Sequence, residues 1–375
     1  MARVLVIGKY YPPCRGGTEA NTRDVCEALA ERHDVTALVF NHEPGFHIEM
    51  RNGVRVIRCA VSMVVKSQPV SLQYWKYLSL QGVDLVHFHA PNFFATVALL
   101  VQLWRTSRDV PVIVTHHSDV YGRRLLRALL MPLYHRLTRR ARYVAVTSLK
   151  NARVSADLPA GAKLAVVPLG IEPDHFAVTG ALRAEALVWR RMLCGDAPTI
   201  AFIGRHVRYK GLDILVRALA AIPQAHALIA GDGPFRAAAE ELTAQLGLVD
   251  RVHFLGNVED AEKLRILAAS DVFALPSTEV TEAFGISQLE AMAAGVAVVS
   301  SDIPTGVTDL AVHDLTALVV PPKDAEALAA ALRRMLGDET LRRRLAERAQ
   351  AQVRQTFSKP AAMSAVCLLV DKVLH

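Results

Sequence analysis

Glu282 and Glu290 bracket the stretch EAFGISQLE. Two carboxylates this close can be the acid and base of one bond-breaking event, or two contacts to a single long ligand. In one continuous helix their Cα atoms would lie about 12 Å apart along the axis. Carboxylates that act across one glycosidic bond are about 5 to 9.5 Å apart. Phe284-Gly285 reads instead as a loop, with a helix starting near Ile286 and Glu290 roughly one turn inside it. The two acids then meet different parts of one extended ligand, and the free N–H groups around Gly285 and Ile286 point at an anion between them.

Two other stretches suit an anion. In FIGRHVRYKGLDILVRAL, Arg205 and Lys210 fall in a strand-to-helix connection. A guanidinium grips phosphate oxygens with two parallel hydrogen bonds and an ammonium adds a compact charge, so the pair suits a diphosphate. Taken locally, two solvated surface cations explain them equally well. In GKYYPPCRGGTEAN, Gly16-Gly17 precede a helix with Thr18 as N-cap and Glu19 in its first turn. Glycines let backbone N–H groups approach a phosphate closely; the spacing is not that of a dinucleotide fingerprint, and a plain turn reads equally well.

Short β-branched runs alternate with longer Ala/Leu-rich helical stretches, which indicates parallel sheets covered on both faces. The first series is RVLVIG, DVTALVF, GVRVIRC, DLVHFHA, PVIVTHH, RYVAVTS and KLAVVPLG; the second is PTIAFIG, AHALIAGDG, VHFLG, DVFALPS, VAVVSS and TALVVPP. The fold class is α/β, with two doubly wound, Rossmann-like domains facing a cleft. Pro168, Gly170 and Pro173 break regular structure between the series. The boundaries read as 1–170 for the first domain, 171–355 for the second, and 356–375 for a helix packing back on the first. Ligands bind at the carboxyl ends of strands in such sheets, where all three stretches lie.

A chain of 375 residues with 52% hydrophobic content is long enough for two cores. No run of about 18 apolar residues is present, and the amino terminus enters a strand at once, so the expected location is the cytoplasm. Five cysteines, at 14, 26, 59, 194 and 367, match neither a disulfide framework nor a metal site by spacing. The net charge of +7 is uneven: residues 1–170 hold 22 Lys+Arg against 11 Asp+Glu, and the remainder 21 against 25. Between Asp119 and Asp157 there are only cations, from Arg123 and Arg124 through Lys150 and Arg153. Leu125, Leu126, Leu129, Leu130, Leu133 and Leu137 recur beside them at helical spacing. Residues 123–153 therefore read either as a solvated helix face or as a segment lying on an anionic membrane surface.

These stretches, in order and together with THHSD, VPLGIEPDHF, LIAGDGP and VHFLGNV, resemble retaining glycosyltransferases of family 4 with the GT-B architecture; the resemblance covers nearly the whole chain. It implies a nucleotide-diphosphate sugar as donor. Arg205 and Lys210 would stabilise the diphosphate as leaving group, and Glu282 would contact the donor sugar near its reacting carbon. Glu290 would hold the ribose hydroxyls, and Phe284, Gly285 and Ile286 would offer backbone contacts. Val258 matches a position that touches the base, Gly16 and Gly17 would complete the diphosphate site, and His117 matches the family histidine near the donor sugar. On local grounds His116 is an equal choice, and His87 and His89 are supporting candidates.

The segment SSDIPTGVTDLAVHDLTALVVPP departs from the family's glycine-rich wording and is closer to a subgroup associated with polysaccharide assembly. No D-x-D element appears, and with cations to neutralise phosphate no metal and no further cofactor are expected. The implied reaction is hexosyl transfer from a GDP- or UDP-linked donor to a glycan or lipid-linked acceptor, in polysaccharide or lipopolysaccharide assembly at the inner face of the membrane. The alternative is a nucleotide-sugar 2-epimerase of the same architecture. Glycoside hydrolysis fits the carboxylate geometry poorly and would have no use for the phosphate grips, and a non-catalytic nucleic-acid or membrane binder would bind polyanions with strong salt dependence and show no nucleotide affinity.

Overall fold

The β-branched runs form two sheets, in a computed structural model that describes residues 1–14, 16–65, 68–120 and 124–375, the side chains of residues 124–126 and 129 excepted. Arg123 of the basic segment lies outside the described residues. The chain divides into two compact units, Met1–Pro168 with Ala362–His375, and Leu169–Ala361.

Unit 1 holds β1 (Arg3–Ile7), β2 (Asp34–Phe40), β3 (His47–Arg51), β4 (Val54–Cys59), β5 (Met63–Val65), β6 (Gln68–Val70), β7 (Leu85–Ala90), β8 (Val112–His116), β9 (Tyr143–Val146) and β10 (Leu164–Val166). Eight of these make one sheet in the order β10-β9-β8-β7-β1-β2-β4-β3, and β5 and β6 pair as a separate ribbon. Only β3 runs antiparallel in the large sheet, against β4. It is joined to β4 by Asn52 (φ 48°) and Gly53 (φ 78°), a two-residue turn whose left-handed residues match the twist of a hairpin. The last helix, Lys359–Leu374, buries Val366, Leu369 and Val370 against Val4, Val6 and Leu85 of this unit. Segment 357–359 nevertheless stays with unit 2, because the Ile171 N–H donates to the Phe357 carbonyl and the Lys359 N–H to that of Ile171.

Unit 2 holds β11 (Thr199–Ile203), β12 (His226–Ala230), β13 (Val252–Gly256), β14 (Val272–Leu275), β15 (Ala297–Ser301) and β16 (Leu318–Val320), all parallel, in the order β13-β12-β11-β14-β15-β16. Side chains alternate across it with the two-residue period of a strand. Ala201 and Ile203 pack under the helices Gly180–Cys194 and Ile286–Ala293; Ile200 and Phe202 pack under Leu212–Ala220 and Ala325–Gly337. The strand order reverses between β11 and β14, so the loops leaving those two strands diverge and open a crevice at their carboxyl ends.

The helix Ile286–Ala293 is anchored by a buried polar network. Gln288 is fully buried; its amide nitrogen donates to the Val307 carbonyl at 3.0 Å, and its oxygen accepts from Ser300 Oγ at 2.8 Å. This ties the helix to β15 and to the turn beyond it. Replacing Gln288 by Ala strands both partners without water, and is expected to cost about 1–3 kcal/mol. Urea unfolding checks this, and a loss no larger than that of an exposed-site control contradicts the anchoring role.

Candidate active site

The two loops at the switch point are stitched together. After β11 the chain makes a 3-10 turn, Arg208–Lys210, and then turns at Gly211 in the left-handed region (φ 69°), where a Cβ would collide with the Pro276 carbonyl. From the β14 side, the Thr278 N–H and hydroxyl donate to the Tyr209 carbonyl at 2.7 and 3.3 Å. That approach brings Lys210 Nζ to 2.5 Å from Glu282 Oε2, and Ser277 Oγ donates to the same oxygen at 3.1 Å. Both bonds converge on Oε2; Oε1 has no partner among the described residues. Behind them, the buried Thr305 hydroxyl donates to the Glu282 carbonyl at 2.8 Å, and the Gly306 N–H to that of Ala283 at 2.9 Å. The PTGV wording therefore acts on Glu282 through its backbone.

The next residues form the start of a helix with no cap. Gly285 sits in the left-handed region (φ 73°), and a Cβ there would lie 2.8 Å from Leu275 Cδ2. The helix begins at Ile286, and Glu290 is one turn inside it. The N–H groups of Ile286 and Ser287 have no protein partner among the described residues, and the buried Ser287 hydroxyl has none either. Such an end carries a partial positive charge and open donors, which suits an anion. The Phe284 ring is turned away into the core, buried edge-on to Phe357 at 5.8 Å.

Arg205 is exposed, and its guanidinium has no protein partner among the described residues. It lines a cavity of about 650 Å³ with Asp232, Gly233, Asn257, Val258 and Lys263. Lys263 also reaches Glu290 Oε1 at 3.0 Å and Asp260 at 3.3 Å. Burial pushes the Glu290 carboxyl above the usual carboxylate range, and the Lys263 ammonium pulls it only partly back. Arg205, Lys210, Val258, Glu282, Phe284, Gly285, Ile286 and Glu290 thus all lie on strand-end loops of unit 2 or on the helix that follows. Ser277, Thr305 and Lys263 were not singled out in the sequence. Thr305 had a signal in the unusual PTGV wording; the other two had none, since their partners are distant in sequence or ordinary in type.

Unit 1 carries the remaining candidates. The first helix starts at Gly17 with Gly16 as N-cap, not Thr18; Thr18 instead accepts at its carbonyl from the Thr22 hydroxyl. Space is open around a Cβ at Gly17, and at Gly16 it meets only the flexible Glu19 carboxylate. Unit 1 itself demands a glycine at neither position. His87, His89 and His117 stack in sequence, with ring centroids 4.9 and 5.2 Å apart. His89 Nδ1 and His117 Nε2 are 2.9 Å apart, and His87 Nε2 meets Thr115 Oγ1 at 2.7 Å. His116 is committed on both sides, Nδ1 to Tyr134 OH at 2.7 Å and Nε2 to Asp119 Oδ1 at 3.1 Å.

In the basic segment, Arg127 pairs with the buried Asp157, and Arg140 and Arg142 share Asp109. Leu137 is fully buried in the core of unit 1, with Leu130 packed against it. No helix among the described residues is long and apolar enough to cross a membrane.

Residues 190–352 match the family model described as Glycosyl transferases group 1, and residues 15–175 that of Glycosyltransferase Family 4. The chain is 30% identical over 361 residues to D-rhamnosyltransferase WbpZ of Pseudomonas aeruginosa, covering 95% of this chain and 92% of that protein. It is 29% identical over 357 residues to a GDP-mannose-dependent alpha-(1-6)-phosphatidylinositol monomannoside mannosyltransferase of Mycobacterium tuberculosis, covering 90% of each. The crystal structure of Anabaena HepE in complex with UDP shares the fold, with a TM-score of 0.76 at 21% identity, over 99% of this chain and all of that one. With both halves matched and a relative at 30% identity over nearly its whole length, the protein belongs to the family 4 glycosyltransferases of GT-B architecture.

Proposed function

We propose that the protein transfers a hexosyl group from a GDP-linked sugar to a glycan or lipid-linked acceptor, with retention of configuration and without a metal or other cofactor at the diphosphate, in polysaccharide or lipopolysaccharide assembly. The observation that carries this reading is the switch-point cluster of unit 2: a partnerless guanidinium, an ammonium paired to a carboxylate, and an uncapped helix start on the two loops that diverge from β11 and β14. These groups favour negative charge. As the bond from the sugar's anomeric carbon to the diphosphate breaks, Arg205, Lys210 and the Ile286 and Ser287 N–H groups stabilise the leaving oxygen. Glu282, with Oε2 held by Lys210 and Ser277, offers Oε1 to the sugar, and Glu290 takes the ribose beside a base seated at Val258. The roles of Gly16, Gly17 and His117 rest on the resemblance alone.

The name of the mycobacterial relative favours GDP-mannose over UDP-hexoses as donor. Epimerisation is less favoured, since these relatives are named as transferases; GDP-mannose incubated without acceptor would be altered by an epimerase and left intact by a transferase. Arg136 and Arg139 are exposed in the helix Arg124–Arg140. We place a lipid-linked acceptor's anionic bilayer against them, by charge and not by leucine insertion, at the cytoplasmic face.

Arg205→Ala is expected to weaken GDP affinity by roughly tenfold or more, the worth of a charge-assisted hydrogen bond, with little change in Tm. Lys210→Ala leaves Glu282 buried and unpaired, and should lose both turnover and about 3–5 kcal/mol of stability. Thermal shift and calorimetry with GDP, UDP, ADP and dTDP test both; no response to any of the four overturns the reading. Sedimentation with phosphatidylglycerol vesicles should retain the wild-type chain and lose an Arg136→Ala/Arg139→Ala variant; equal binding of the two removes the membrane assignment.

Burial, and then the neighbouring ring, holds His117 down to about 4 and His87 to about 3, and His89 falls well below its usual value for the same reasons. These rings are neutral in the folded chain, whereas the unfolded chain takes up protons near pH 6.5. Stability is therefore full above about pH 6.5 and is lost as pH falls toward 4 and 3. Urea midpoints between pH 7.5 and 4 should show this loss, smaller in His117→Gln; identical pH profiles would show that His117 titrates normally.

A further inference from the structure

At the amino-terminal end of the unit 2 sheet, away from the diphosphate loops, three residues with metal-ligating side chains come together. Cys194 is the last residue of the helix Gly180–Cys194, which Gly195 stops in the left-handed region (φ 60°). His226 opens β12 and His253 is the second residue of β13. Register explains the meeting. Leu228 pairs with His253 across the parallel strands, so His226, two residues before Leu228, is a diagonal neighbour of His253 on the same face. That face carries Leu228 and is covered by the Gly180–Cys194 helix, whose final turn delivers the thiol.

We propose that Cys194, His226 and His253 form a binding site for a borderline-soft divalent cation of the zinc class, with one thiolate and two imidazoles as ligands and a water molecule in the fourth position. One ligand atom from each residue lies within 4.8 Å of the others. Around a tetrahedral zinc, with bonds of about 2.0 to 2.3 Å, ligand atoms sit roughly 3.3 to 3.6 Å apart. His226 Nδ1 and His253 Nε2 are already at 3.1 Å, with their rings stacked at 5.4 Å. A small inward shift of the Cys194 side chain completes the triangle. Among the described residues, no other cluster of three His, Cys, Asp or Glu side chains meets this geometry.

The chemistry of the donor set fits. A cation needs neutral imidazoles, and burial lowers the proton affinity of both, with Arg251 acting on His226 and His226 on His253. Burial pushes the Cys194 thiol up to about 11, against the pull of Arg190. Binding therefore releases the thiol proton to solvent as the sulfur–metal bond forms. The neighbouring cations are otherwise engaged: Arg190 pairs with Asp271 at 3.1 Å, and Arg251 donates to the carbonyls of Leu219, Ile222 and Ala225. The histidines are half-buried, so a cation can enter from solvent. The strand of five residues between the two ends of the sheet is about 15 Å long, so this site is structural with respect to the transfer chemistry.

The test is cobalt substitution in the full chain after stripping with a chelator. The wild-type protein should take up a single equivalent of Co²⁺ with a thiolate charge-transfer band and tetrahedral d–d bands, both abolished by Zn²⁺. Cys194→Ser should lose the charge-transfer band, and His253→Gln should no longer retain the metal against a weak chelator. Cys14→Ser, which alters a cysteine of unit 1, should behave as wild type. Circular dichroism checks that each variant is folded, and Zn²⁺ should raise the Tm of the wild-type chain regardless of the variants. Absence of a thiolate band, its survival in Cys194→Ser, or a wild-type Tm indifferent to Zn²⁺ overturns the proposal, and leaves a simple hydrogen bond between two histidines. None of these readouts depends on the donor, so failure here is separable from failure of the transferase reading.

Discussion

The Lys210–Glu282 ion pair is the constraint around which unit 2's candidate site is arranged. It joins a residue from the loop after β11 to one from the loop after β14. The pair is mostly buried, and two charges out of water are tolerable only with further partners. Ser277 supplies one to the carboxylate, while Thr305 and Gly306 fix the backbone that carries Glu282. An ammonium whose position is set by a carboxylate is preorganised, and needs no reorganisation when a second anion arrives. The same pairing leaves the other carboxylate oxygen without a partner among the described residues.

Lys263, which lines the cavity, and Glu290 repeat the arrangement with a different balance. There burial dominates, so the carboxyl group holds its proton more tightly than usual. Arg205 is the contrast, an exposed cation with no internal partner. The strand-end loops of unit 2 and the helix that follows thus hold a strongly paired cation, a buried acid with a partial partner and, in Arg205, a cation without a partner among the described residues.

Much of this was legible in the sequence because parallel α/β folds place ligand-binding residues at strand ends, where short β-branched runs stop. The helix start at Ile286 and the position of Glu290 one turn inside it followed from Phe284-Gly285 as a loop. The strand β3 was missed although its signal was present: Asn52-Gly53 is a hairpin turn, and HIEMR before it pairs with VRVIRC after it. The Thr18 cap failed because the helix starts one residue earlier, at Gly17, which puts Thr18 inside the first turn. Thr305 was legible only as unusual wording, because its partner Glu282 is 23 residues away; Ser277 was not, being an ordinary residue type in the same loop as Glu282, and Lys263 was not, being 27 residues from Glu290. The Cys194, His226 and His253 cluster was invisible for the same reason; its members are 32 and 27 residues apart, and only strand register and a helix end bring them together. In the basic segment Arg136 and Arg139 are exposed, whereas Leu130 and Leu137, which helical spacing alone leaves free to face lipid, face the core.

The last helix gives unit 1 a discontinuous chain. Val366, Leu369 and Val370 fill the core beside β1, yet Leu169–Ala361 belongs entirely to the other unit. During synthesis at about 5–20 residues per second, the first 168 residues therefore wait roughly 10–40 s for the piece that closes their apolar face. Unit 2 has its last residue, Ala361, only 14 residues before His375, so the two units gain their final parts almost together. The early strands spend that interval with a greasy flank bare, which makes them natural clients for chaperones.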